Sequence, residues 1–212
     1  MKISMALKTL LATAALTLPL VASAASTFTS GTGALTASAT VNFEVFIPQT
    51  LYLRVGTGST YTTGALTTNA TTDLISFSPA AGTVGNSTPV AGVGGDIGAG
   101  VETAAIVSNG GNVTLVATTA VAGLSDGAGD FIPFTQITTA AVALTGTYTL
   151  LTPPTLANGT SASVLLTANA SKIVQADAKW TFAYANTAVY PGGTYGGVGV
   201  NNSLVTYTAT MP

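Results

Sequence analysis

The chain has 212 residues, of which 47% are hydrophobic and only 6% charged, with a formal net charge of −2 and neither Cys nor His. Those counts exclude thiol nucleophiles, disulfides, zinc–thiolate centres and a Ser-His-Asp relay, and they leave no imidazole as general base or metal ligand. Nucleic-acid binding is excluded as well, because holding a polyanion takes clustered Lys and Arg, and the whole chain carries five basic residues.

Ordinary soluble domains are about one-quarter charged. Here the surface is left mainly to Thr, Ser, Asn and Gly, which suits an inert extracellular face or one buried against further copies. At the N-terminus Lys2 and Lys8 precede an apolar stretch, Leu10 to Val21, and the small residues Ala22-Ser23-Ala24 follow. That order predicts a secretory signal cleaved after Ala24. The alternative is a membrane anchor, but the apolar run is well short of the roughly 20 residues a spanning helix needs. No Cys follows the small residues, so lipid attachment of the lipoprotein type is excluded. No later segment is long, apolar and free of turn residues, so no membrane span is expected in the mature chain.

Removal of residues 1–24 leaves 188 of the 212 residues, read as a single domain over 25–212. Three basic residues, Arg54, Lys172 and Lys179, then face seven acids, a net charge of −4. A chain of that length can rely on burial without disulfides. Its expected location is secreted, extracellular or on the cell surface, with the periplasm as transit compartment if the cell is Gram-negative.

Residues 25–39 form a tail rich in Thr, Ser, Gly and Ala. From Ala39 to Ile47, Val41, Phe43, Val45 and Ile47 alternate with Thr40, Asn42 and Glu44, the period of a half-buried strand. Pro48 ends it, and Leu51–Val55 resumes the alternation before Gly56. Further strands are predicted over Leu74–Phe77, Ala104–Val107, Val113–Thr118, Ala141–Leu144, Thr147–Leu151, Ser163–Ala168, Lys179–Tyr184 and Leu204–Thr210. Turn clusters separate them, among them Gly82–Asn86, Gly92–Gly100, Pro153-Pro154 and Pro191-Gly192-Gly193. Ala170–Ala178 reads equally as a short helix or an extended loop. Many short strands without helical spacers predict an all-β fold, a single antiparallel β-sandwich of Greek-key, immunoglobulin-like or jelly-roll-like form.

Near the C-terminus Trp180, Phe182 and Tyr184 alternate on one face as a core stripe. A Pro-Gly-Gly-Thr-Tyr-Gly-Gly turn, 191–197, leads into a strand over Leu204–Thr210. These C-terminal strands resemble the closing strands of bacterial fimbrial subunits and other secreted cell-surface sandwiches. The disulfide of many chaperone-assembled pilins is missing.

Seven carboxylates are the remaining material for chemistry: Glu44, Asp73, Asp96, Glu102, Asp126, Asp130 and Asp177. A glycosidase needs two of them across a cleft, yet Glu44 sits on the polar face of a strand and the others beside Gly-rich turns, where Asp commonly holds backbone. Asp126-Gly127-Ala128-Gly129-Asp130 is a candidate calcium loop, or else a tight turn, since EF-hand spacing is not met. The glycine strings lack the Lys-Ser/Thr of a phosphate loop. No cofactor and no catalytic residue is expected. Tyr52, Tyr61, Tyr190 and Tyr195 are candidate sugar-stacking aromatics, and Tyr190 and Tyr195, which bracket the Pro-Gly-Gly turn, are expected to face solvent.

Two functions follow. One is a non-enzymatic structural subunit of an extracellular fibre, pilus-like or coat assembly. It would self-associate by β-strand donation, with Val41, Phe43, Val45 and Ile47 as the assembly strand. The other is a monomeric adhesin or carbohydrate-binding module that meets glycan through Tyr190 and Tyr195.

Overall fold

The computed structural model describes residues 26–59 and 66–212. The predicted signal, residues 1–24, and Tyr61 lie outside the described residues. The chain divides into two units, one ending at Ile47 and one spanning Pro48–Pro212.

In the first unit, residues 26–47 are exposed throughout and join no ladder. Hydroxyls of Thr27 and Thr29 donate to the carbonyls of Ser38 (2.5 Å) and Thr36 (3.2 Å), which closes a local loop. The strand expected over Ala39–Ile47 is therefore absent. Alternation supplies a face that could be buried, but a strand exists only where a neighbour accepts its backbone hydrogen bonds.

The second unit is nearly all β. Its strands are β1 (Leu51–Val55), β2 (Ile75–Ser76), β3 (Val90–Ala91), β4 (Val93–Gly94), β5 (Val101–Ser108), β6 (Val113–Thr118) and β7 (Leu124–Ser125). They continue with β8 (Phe131–Ile132), β9 (Ile137–Val142), β10 (Thr149–Leu150), β11 (Val164–Leu166), β12 (Val174–Tyr184) and β13 (Thr206–Thr210). Two 3-10 turns, Ala81–Thr83 and Phe134–Gln136, are the helical elements among the described residues.

β12 is the spine of the larger sheet. Along one edge it pairs with β5 and, at its end, β3; along the other it pairs with β9 and β10. β1 adds to the far side of β5. A second sheet runs in the order β11-β6-β13, and the short pairs β2-β4 and β7-β8 stand apart. This arrangement of several sheets is consistent with a sandwich. The pairing is antiparallel except that β10 joins β12 in parallel, Thr149 opposite Ala176, which departs from the all-antiparallel expectation.

The core lies between the β5–β12 face and the β11-β6-β13 sheet. Ala104 and Ile106 of β5, Val113 and Leu115 of β6, and Ala176, Ala178 and Trp180 of β12 are all fully buried. Trp180, Phe182 and Tyr184 occupy one face as the core stripe their spacing predicted. The Trp180 indole N–H donates to the Leu151 carbonyl at 2.7 Å, so its one polar atom is satisfied within the core. Its ring stands 5.2 Å from that of Tyr207 on β13, which ties the two sheets together.

Ala170–Ala178 is neither of the two alternatives read from its sequence. Residues 169–173 make a turn in which Asn169 Oδ1 accepts the N–H groups of Ser171 and Ile173, and β12 begins at Val174. Val174, Ala176 and Ala178 point into the core, and that burial outweighs the helix preference of the alanines.

Trp180→Ala is expected to lower the unfolding free energy by about 3–5 kcal/mol, as a drop in the denaturation midpoint followed by circular dichroism.

Candidate functional site

The carboxylates separate into three groups plus Glu44, which lies exposed in the N-terminal segment. Asp126 and Asp130 close one turn. Asp126 Oδ1 accepts the backbone N–H groups of Ala128, Gly129 and Asp130 at 2.8, 3.0 and 3.0 Å. Those donors, Ala128 first, hold its carboxyl below the usual aspartate range. The candidate calcium loop thus spends its first carboxylate on its own backbone. Among the described residues no three or more His, Cys, Asp or Glu side chains are placed so that they could hold a metal ion.

Asp177 is fully buried on β12 and accepts the Thr145 hydroxyl at 2.6 Å. It fastens the 143–148 connection to the sheet.

The third group was not anticipated from sequence. Asp73, Asp96 and Glu102 come from a loop before β2, the β4–β5 turn and β5, and they meet beside Gly56 at the end of β1. A Cβ at Gly56 would lie 2.3 Å from Asp73 Oδ2 and 2.8 Å from Glu102 Oε2, so both carboxylates crowd the space that only glycine leaves empty. Gly56 also holds φ at +83°, a conformation L side chains rarely adopt.

Each acid in this centre also holds backbone. Asp73 accepts the N–H and hydroxyl of Thr57 at 2.5 and 2.8 Å. Asp96 Oδ1 accepts the Thr103 N–H at 2.7 Å, and the Asp96 N–H donates to Glu102 Oε2 at 3.1 Å. Arg54 bridges to Asp96 Oδ2 at 2.9 Å and donates its Nε to the Gly56 carbonyl. Glu102 is 5% exposed. Burial, with Asp73 and Asp96 adding repulsion, pushes its carboxyl up to about 7. A signal was present in the sequence: Glu102 stands two residues before Ala104 and four before Ile106, in step with the buried face of β5.

Of the aromatic candidates, Tyr52, Tyr190 and Tyr195 lie among the described residues. Tyr190 and Tyr195 are partly exposed. Tyr195 folds back to donate its hydroxyl to the Pro191 carbonyl at 3.0 Å. Tyr52 likewise donates to the Ser59 carbonyl at 2.6 Å.

The features left are open sheet edges. Among the described residues β13 pairs with β6 alone, and β1 with β5 alone. The core-facing residues of these strands, Leu51, Leu53 and Val55 on β1 and Val205, Tyr207 and Ala209 on β13, are only partly covered. A groove of about 580 Å³ follows β1, lined by Gln49 to Val55, Thr57, Gly58, Leu66 to Asn69 and Thr71. A second, of about 590 Å³, lies between β10 and β11 and is lined by residues of 147–152, 164–169 and 173–176. Both are bounded by Thr hydroxyls, apolar side chains and strand backbone, without paired acids.

Gly56→Ala is expected to cost about 1–3 kcal/mol in stability, because the methyl both meets two carboxylates and strains φ; a thermal melt against wild type measures it. No family model, no curated protein and no solved structure matches this chain.

Proposed function

We propose that this protein is an exported, non-enzymatic subunit of an extracellular fibre or coat, a single β-sandwich whose N-terminal segment pairs with an open sheet edge of the next copy. The observation that carries the reading is the state of residues 41–47. Val41, Phe43, Val45 and Ile47 are 68%, 90%, 81% and 73% exposed. Four large apolar side chains at alternate positions, with no ladder of their own, are costly in water, and burying each is worth about 1.5–3 kcal/mol. Alternation suits a strand that hides one face, and the partner it lacks within its own chain can come from another copy.

The acceptor edges follow from the same reasoning. The free edges of β1 and β13 present unpaired N–H and C=O groups, and their inward side chains are incompletely covered. An added strand there would satisfy the backbone and cover Leu53 and Tyr207 together. A contact between one segment and a different surface is head-to-tail and does not close on itself, so it propagates into a filament. The low charge supports the reading, since few groups need solvent on a surface destined for neighbours.

Deletion of residues 25–47 is expected to leave a folded monomer by size-exclusion chromatography, while the chain retaining the segment forms filaments in negative stain. Phe43→Asp is expected to weaken association about tenfold or more, as follows from the burial of one Phe. Undiminished polymerisation of the deleted chain overturns the proposal. A strictly monomeric protein whose glycan-array signal is lost in Tyr190→Ala and Tyr195→Ala overturns it in favour of a sugar-binding module.

A further inference from the structure

The Gly56 centre has a composition that the rest of this chain avoids. Three carboxyls and one guanidinium meet here, Glu102 buried and Arg54, Asp73 and Asp96 partly buried, in a protein with only seven acids and five bases in total. The groups facing Glu102 come from every element packed around it. Arg54 and Gly56 belong to the end of β1, Asp73 to the loop before β2, and Asp96 to the β4–β5 turn. Tyr207 of β13 faces it from the other sheet, and its phenol is raised by burial and then by the Glu102 charge. Lys179 stands on the opposite face of β12, opposite Thr103 rather than on the side of Trp180 and Glu102.

The charges do not balance when all three acids are ionised. Arg54 is the only cation among them, and its guanidinium is already engaged by Asp96 Oδ2 and the Gly56 carbonyl. Glu102 and Asp73 then oppose each other across the Cβ-free side of Gly56. Like charges in a poorly hydrated site repel strongly, and a single proton removes the conflict.

We propose that Asp73, Asp96 and Glu102 form a proton-operated clasp: a proton on Glu102 lets the end of β1, the loop before β2 and the β4–β5 turn pack together, and its loss loosens them. The weakest of the three is the Asp73 loop. β2 has two residues, paired with β4, and among the described residues the loop meets the chain after β1 through the two Thr57 bonds to Asp73 and two bonds between Ser59 and Thr67. Deprotonation therefore acts first at the Thr57 bonds to Asp73, whereas the Asp96 N–H favours the charged form of Glu102 and holds it in both states.

The sign follows from linkage. The Glu102 carboxyl sits at about 7 in the folded chain against an ordinary 4.5. Protonated Glu102 contributes its full stability below about 4.5, and that contribution is lost as pH rises through about 7. The clasp is closed in mild acid and open in mild alkali.

Hydrogen exchange of the full chain, corrected for intrinsic rates, tests this at pH 5.5, 7.0 and 8.5. Protection at the Thr57 and Thr103 amides is expected to fall about tenfold or more over that range, while the β6 and β12 amides stay level. In Glu102→Gln, which carries a neutral group of similar shape, protection at those amides is expected to stay at its acid value throughout. Asp73→Asn supplies a second arm, read by carboxyl NMR: removing one opposing charge shifts the Glu102 midpoint downward. Protection in the wild type that is flat with pH, an unchanged fall in Glu102→Gln, or a Glu102 midpoint unmoved by Asp73→Asn each overturns the clasp.

Discussion

β12 is hydrogen-bonded along both edges, and nearly every other part of the Pro48–Pro212 unit is placed by that fact. A strand with two partnered edges satisfies its own backbone and presents two faces. One face, Val174, Ala176, Ala178, Trp180, Phe182 and Tyr184, is buried almost completely. It sets where the β11-β6-β13 sheet must lie, because Trp180 and Tyr207 have to meet across the gap. The other face holds Asp177, which turns the 143–148 connection back over the sheet through Thr145. The core is thus organised from one strand outward, and its energy is chiefly apolar burial, with the indole N–H and a few hydroxyls accounted for locally.

The scarcity of charge gives the few ionisable groups unusual weight. In a highly charged protein a carboxylate trio would be screened by its neighbours. Here Asp73, Asp96 and Glu102 have Arg54 and little else, and they are held by a glycine whose missing side chain makes the space. Each acid also serves as a backbone acceptor, so the electrostatics of this corner and the placement of three loops are one problem. Asp126 illustrates the opposite regime. Three backbone N–H groups stabilise its charge in an open turn, and its carboxyl is lowered where that of Glu102 is raised.

Edges are the second constraint. A sheet must end somewhere, and exposed strand backbone invites pairing with another chain. Among the described residues β1 and β13 each have one partner, and the segment before Pro48, apolar at alternate positions, joins no ladder. The proposed assembly joins these two deficits in different copies. It asks for no reactive centre, which fits a chain without His or Cys.

Much of the fold was legible beforehand. Period-2 alternation located β1 and β6 to the residue, and the Trp180-Phe182-Tyr184 stripe named its own buried face, because side-chain alternation is a local property of extended backbone. Local pattern failed where the outcome depends on a distant partner. The 39–47 alternation is as regular as that of β1, yet it forms no ladder among the described residues, while the alanines of 174–178 became strand because β5 and β10 flank them. Tyr190 and Tyr195 bracket a turn, and how far each is exposed depends on the packing of that turn. Glu102 lay in register with a core face, but the sequence separates it from Asp73 by 29 positions and from Arg54 by 48. What the sequence determined alone was export as an expectation from its N-terminal segment, an all-β preference and the lack of thiols and imidazoles. Which carboxyls meet, which edges stay open and which apolar strand goes unpaired were decided by tertiary structure, since each is a relation between segments that only folding brings within hydrogen-bonding or Coulomb range.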